Sequence, residues 1–232
     1  AIGKEAGNTT QGTKSIAIGN TAGKNNQGLG TGTGTGGAIA IGNGAGIGVI
    51  GTGQNSDAIA IGTNAGATSQ SSSSVAIGIN SGKTTQGANS VSIGNNSGTT
   101  TQGSQCVAVG INSGNTTQGT KSVAIGTSAG QYNQGKGSGA GTGGAIAIGN
   151  GAGAGTTLIG QNTNAIAIGT DAGSTAQGVE TISIGSNSGQ YNQGDGAIAI
   201  GDNAGTGTTL LGQKSDAIAI GSDSGNVAQG IE

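Results

Sequence analysis

Asp57 and Asp216 stand in the same stretch, "SDAIAIG", and are the first residues to examine for chemistry. A carboxylate works as a general base, or as part of a metal site, only in company: a histidine, a nucleophile or further carboxylates must converge on it. Neither aspartate has such a neighbour in sequence, and the chain contains no histidine. Both are expected to be solvated loop carboxylates. The remaining acidic residues are scattered singly, so no metal and no cofactor is expected. Cys106, the one cysteine, occupies a repeat position otherwise held by Ser, Ala or Thr, and its small size accounts for it. The stretch "GNGAGIG" at 42–48 is superficially like a phosphate-cradling loop, but that motif needs a helix behind it. The chain shows no helical periodicity, so these glycines are expected to make tight turns. The chain is not expected to be an enzyme.

What must position every residue is a repeat. The chain has 232 residues, with 55 Gly and no Pro, Met, Trp, Phe or His. Its hydrophobic residues are almost all Ala, Ile and Val, which suits thin layers rather than a thick globular core. Seven Lys against nine acidic residues give no basic stripe, so nucleic acid is not an expected partner. No apolar run approaches membrane-spanning length, and the segment is not expected to insert into a membrane. Because "AIGKEAG" and "NVAQGIE" both read as interrupted repeats, the chain is expected to be a segment of a longer protein.

The glycine closing each "[IV]-[AS]-[IV]-G" recurs at 3, 19, 42, 62, 78, 94, 110, 126, 149, 169, 185, 201 and 221, giving thirteen units of 16–23 residues. The third residue after it is Ala or Ser, the fourth is Gly, and in most units the eighth is Gln. In "SIAIG" the period of two predicts a strand with Ile16 and Ile18 on one face and Ser15, Ala17 and Gly19 on the other. "NTAG" supplies turn chemistry, "KNNQG" or "KTTQG" a short polar strand, and the closing Gly a second bend. Each unit thus predicts one coil. Stacking thirteen in parallel at about 4.8 Å gives a rod of about 60 Å. The expected fold is an all-β parallel β-roll, one repeat segment over 1–232, with Gly-rich insertions at 29–37 and 136–144. A hexapeptide β-helix is the nearer rival, but Lys24 falls where that repeat needs an aliphatic residue. Collagen fails for want of Pro and of Gly at every third position.

The polar strand offers no apolar column to meet the isoleucines across a coil. The aliphatic column is therefore expected to face outward and to be buried against other chains, with Ser, Ala and Gly filling a narrow interior. The competing arrangement puts the isoleucines inside a monomeric solenoid. The expected interface comprises Ile16, Ile18, Ile39, Ile41, Ile59, Ile61, Val75, Ile77, Val91, Ile93, Val107 and Val109. It continues with Val123, Ile125, Ile146, Ile148, Ile166, Ile168, Ile182, Ile184, Ile198, Ile200, Ile218 and Ile220. The Gln column is expected to form a ladder of amides bonded to one another along the stack.

"SVAIG" at 74–78 and 122–126, each followed by two residues and then Ala or Ser and Gly, resembles the head repeat of YadA-type trimeric autotransporter adhesins. The resemblance covers essentially the whole segment. It implies a left-handed parallel β-roll, three chains about a common axis, and display on a cell surface for attachment to a host protein, matrix or glycan. The sixteen-residue coil, the "TTQG" strand and the Gly-rich insertions depart from that family, and no neck, stalk or anchor is visible. Related rolls in viral and phage fibres imply the same architecture on a virion surface. Tyr132 and Tyr191, both in "QYNQG", are candidate surface contacts. A third reading, ice binding, would use a threonine column at Thr9, Thr68, Thr84, Thr100, Thr116 and Thr175, which Asn25, Tyr132, Tyr191 and Val227 interrupt.

Overall fold

The computed structural model describes residues 1–28, 36–49, 52–135, 143–157 and 159–226. Most of the two Gly-rich insertions therefore lies outside the described residues. The described chain is all-β, with no helix, and divides into two units, Ala1–Asn112 and Ser113–Glu232. Each is a parallel β-solenoid.

In the first unit the aliphatic triplets form β1 (Ile16–Ile18), β2 (Ile39–Ile41), β3 (Ile59–Ile61), β5 (Val75–Ile77), β7 (Val91–Ile93) and β9 (Val107–Val109). Each pairs in parallel with the next, with the triplets in strict register: Ile59 lies beside Val75, and Val75 beside Val91. The polar strands β4 (Ser69–Gln70), β6 (Thr85–Gln86) and β8 (Thr101–Gln102) stack in parallel as a second sheet. In the second unit β10 (Thr117–Gln118) is polar, and the aliphatic sheet runs β11 (Val123–Ile125), β12 (Ile146–Ile148), β13 (Ile166–Ile168), β14 (Ile182–Ile184), β15 (Ile198–Ile200) and β16 (Ile218–Ile220). The solenoid closes about eleven turns rather than thirteen. A turn runs from one strand to the next, and the first repeat unit contributes only an isolated bridge of Ile2 to Ile18.

The interior is made of small residues. The central residue of every triplet is buried, as are most of the Ala or Ser residues three positions after the anchor glycine; Ala17, Ala22, Ala40, Ala45, Ala60, Ala65 and Ala76 pack as one cluster. Alternation turns the flanking Ile and Val outward, where they are half-buried or exposed. The isoleucines are therefore outside the coil, as the absence of an apolar partner on the polar strand requires.

The glutamines complete that interior, and here the sequence expectation needs correction. Gln70, Gln86, Gln102 and their equivalents are buried and point across the coil rather than along it. Gln70 Nε2 donates to the Ile59 carbonyl at 2.7 Å and to the Ser74 carbonyl at 3.3 Å, so one amide joins two successive turns from inside. The same pair of bonds recurs at Gln54, Gln86, Gln161 and Gln213. Direct amide-to-amide bonds are confined to places such as Gln27 to Gln54 and Gln134 to Gln161, both 3.2 Å. The outer ladder belongs to asparagine instead: Asn64 donates to Asn80, and Asn80 to Asn96 at 3.1 Å.

Candidate functional site

The outward residues of the aliphatic sheet are the first candidate. Both outer residues of β1, β2, β3, β5, β7 and β9 lie on one side of the first unit, and both outer residues of β11 through β16 on one side of the second. Parallel register lines them up as two ridges per unit, one led by Ile16, Ile39 and Ile59, the other by Ile18, Ile41 and Ile61. Every residue named as an interface candidate is in these ridges. Their exposure runs from half-buried to 44% at Ile16 in the first unit, and from half-buried to 65% at Ile220 in the second. Ile79 and Ile111, one residue past the anchor glycine, add further exposed apolar surface. The arrangement can bury apolar area against a partner, and it offers no polar group for specificity.

Glycine fixes how close the turns sit. Gly94 has φ +128°, which L side chains rarely adopt, and a Cβ there would lie within 2.4 Å of the Gly110 carbonyl oxygen of the following turn. The stretch 42–48 is made of such turn glycines: Gly42, Gly44, Gly46 and Gly48 all have positive φ. Asp57 and Asp216 also occupy left-handed corners, at φ 58° and 59°, and each Oδ1 sits where a Cβ would lie on Gly37 or Gly196 of the preceding turn. Their role in the geometry is to fill a corner. Cys106 is buried, and its Sγ contacts the Ser104 carbonyl at 3.5 Å. Among the described residues, no group of three or more His, Cys, Asp or Glu side chains could hold a metal ion. Glu5 and Lys24 form an ion pair at 2.6 Å, and the hydrogen bond from Lys24, then its charge, holds the Glu5 carboxyl below its ordinary range.

The other predicted contacts are less exposed than the sequence suggests. Tyr132 and Tyr191 are half-buried, and the Tyr132 hydroxyl accepts a hydrogen bond from Gln131 Nε2 at 3.3 Å. Thr9, Thr68, Thr84, Thr100, Thr116 and Thr175 all fall at bends. Thr84 and Thr85 both donate their N–H groups to the next turn, at 2.8 and 3.0 Å, so the hydroxyl column lies at a corner and not on a flat strand.

Sequence reasoning missed one surface feature. The coils that are 20 residues long carry a four-residue turn just before their Gln, and its tip is aliphatic. Ile159 is 53% exposed, Leu211 61% and Leu210 88%, the last being the most exposed large hydrophobic residue described. The signal was present in the spacing of 20 against 16, together with a pair of aliphatics outside the strand column.

Among the described residues, no helix is long and apolar enough to cross a membrane. No family model matches the chain, and neither a curated protein nor a solved structure matches it.

Proposed function

We propose that this chain is a segment of a surface-displayed structural and adhesive fibre, in which three copies of a left-handed roll pack about a common axis through their aliphatic ridges. The single observation that supports the reading is the orientation of the triplets: Ile and Val outward on successive turns, Ala or Ser buried between them. Fully burying one Val or Ile side chain contributes about 1.5–3 kcal/mol, and an apolar strip that repeats turn after turn is characteristic of an interaction surface. A second copy suits it because parallel copies share one rung spacing, so ridge meets ridge without mismatch along each unit. The assembled rod would then present its polar faces and turns many times over, and weak contacts repeated on one rigid body add up through avidity. Display on a virion, as a fibre of the same architecture, would use the same interface.

Sedimentation of the isolated chain tests the reading. A trimer that is lost on Ile93→Asp, with the variant falling to monomer or unfolding, is the expected result. A wild-type chain that sediments as a stable monomer at micromolar concentration would rule it out.

A further inference from the structure

The two aliphatic ridges present Ile or Val at every turn, and a surface that repeats in this way cannot tell one turn from the next. Copies packed through the ridges alone could slip by a turn and meet much the same residues. The corner beside the second ridge varies where the ridges do not. It is the position one past the anchor glycine, held in the first unit by Asn20, Asn43, Thr63, Ile79, Asn95 and Ile111. The last three lie on successive turns: the Asn96 N–H donates to the Ile79 carbonyl at 2.9 Å, and the Asn112 N–H to the Asn95 carbonyl at 3.0 Å. At the strand spacing the two isoleucines stand about 10 Å apart, with the asparagine between them.

All three side chains are exposed, Ile79 by 51% and Ile111 by 52%. On the Asn95 turn the second-ridge residue Ile93 is exposed and the first-ridge residue Val91 half-buried, so the uncovered side leans toward this corner. Asn80 and Asn96 commit their amides to the outer ladder, whereas the Asn95 side chain has no hydrogen bond among the described residues. No residue in 75–82, 91–98 or 107–114 is charged, so a charged partner finds nothing to pair with. An identical copy matches the strip throughout. Isoleucine meets isoleucine two turns apart, and a carboxamide, which both donates and accepts, pairs with its own kind. In the second unit the same corner is polar on every turn, as at Thr127, Asn150, Thr170 and Ser186, so the pattern belongs to the first unit.

We propose that Asn95 fixes the register in which parallel copies of this chain pack, its carboxamide bonded to Asn95 of the neighbouring copies between apolar layers made by Ile79 and Ile111. The inference rests on the assembly through the ridges proposed above, and adds to it the line along which the copies converge. A slip of one turn sets Asn95 against Ile79 or Ile111 and buries an amide without a partner, which costs more than a satisfied pair contributes. A lone asparagine in an otherwise apolar seam selects register in coiled coils by the same means, at some cost in stability. The order Ile–Asn–Ile reads the same in both directions, so the parallel arrangement needs its own readout. Thr63, exposed on the same corner one turn before Ile79, provides it.

The test is sedimentation of the 232-residue chain carrying Asn95→Asp. The side chain is exposed on the single chain, so the coil stays folded, but carboxylates brought together between copies repel. Association should weaken tenfold or more at about pH 7 and recover at about pH 4, where the carboxylates take up protons. Register is read on a Cys106→Ser background, serine being the residue of that column on the neighbouring turns. Under oxidation the Thr63→Cys/Cys106→Ser variant should form a disulfide between chains, and adding Asn95→Ile should keep the assembly while lowering the disulfide yield severalfold. A monomeric wild type, or an assembly that Ile93→Asp leaves intact, overturns the ridge reading and this inference with it. Where the wild type assembles and Ile93→Asp breaks it, three results overturn the register role alone: unchanged association of Asn95→Asp at about pH 7, no disulfide between chains, or a yield that Asn95→Ile does not lower.

Discussion

Gln86 is a useful residue to follow because its two ends meet different fates. Its Nε2 donates to the Val75 carbonyl at 2.8 Å, while its Oε1 has no hydrogen-bond partner and sits where a Cβ would lie on Gly82. That contact explains why Gly stands four positions before Gln in the sixteen-residue coils. Where the triplet carries Ser instead of Ala, the oxygen is satisfied: Ser92 donates to Gln102 Oε1 at 3.1 Å and Ser183 to Gln193 Oε1 at 2.6 Å. Ala76→Ser should therefore supply Gln86 with the same bond and stabilise the fold by about 0.5–1.5 kcal/mol, read from the midpoint of chemical unfolding. Gln86→Ala should cost about 2–4 kcal/mol, since it opens a cavity and removes the amide's bonds to buried carbonyls. The Glu5–Lys24 pair gives a pH test. Because the Glu5 pKa is lowered in the folded state, its contribution is present above the ordinary glutamate range and is lost as pH falls through the lowered value. The pair is solvent-exposed and its effect small, so the stability difference between wild type and Glu5→Gln should be slight at neutral pH and vanish in strong acid.

At the scale of the element, the coil is held by corners more than by strands, which are only two or three residues long. Each corner uses a left-handed residue, and the chain offers Gly, Asn or Asp at most of them: Asn64, Asn80 and Asn96 have φ near 55°. Where Gly takes such a corner, the next turn supplies an Asx that lies over it, as Asp57 does over Gly37, Asn64 over Gly44, Asn164 over Gly144 and Asp171 over Gly151. Corner residues of successive turns are therefore coupled. Gly94→Ala combines a disfavoured φ with a clash against the next turn and should cost about 2–4 kcal/mol. Asn96→Gly keeps the corner and loses the amide ladder, so it should cost well under that. Thermal unfolding of the two variants side by side checks the ranking; an equal cost would mean that the ladder and not the backbone sets the corner.

For the whole molecule, the ridges set the assembly: Ile93→Asp should change particle mass, read by sedimentation. The sequence by itself determined the strands, their parallel register and the outward side of the aliphatic column. Those follow from local rules, a period of two at "IAIG", a fixed spacing of anchor glycines and the want of any apolar residue to face Ile16 from the polar strand. It did not reveal the direction of the glutamines or the prominence of Leu210. An amide stacked at rung spacing can bond along the stack or across it, and only the thinness of an alanine interior, with backbone carbonyls of the opposite strand within reach, decides for across. An inserted pair of leucines can likewise fold back or stand out. A glycine neck and an asparagine on the neighbouring turn hold it out, and both act between segments that become neighbours only once the coils are stacked.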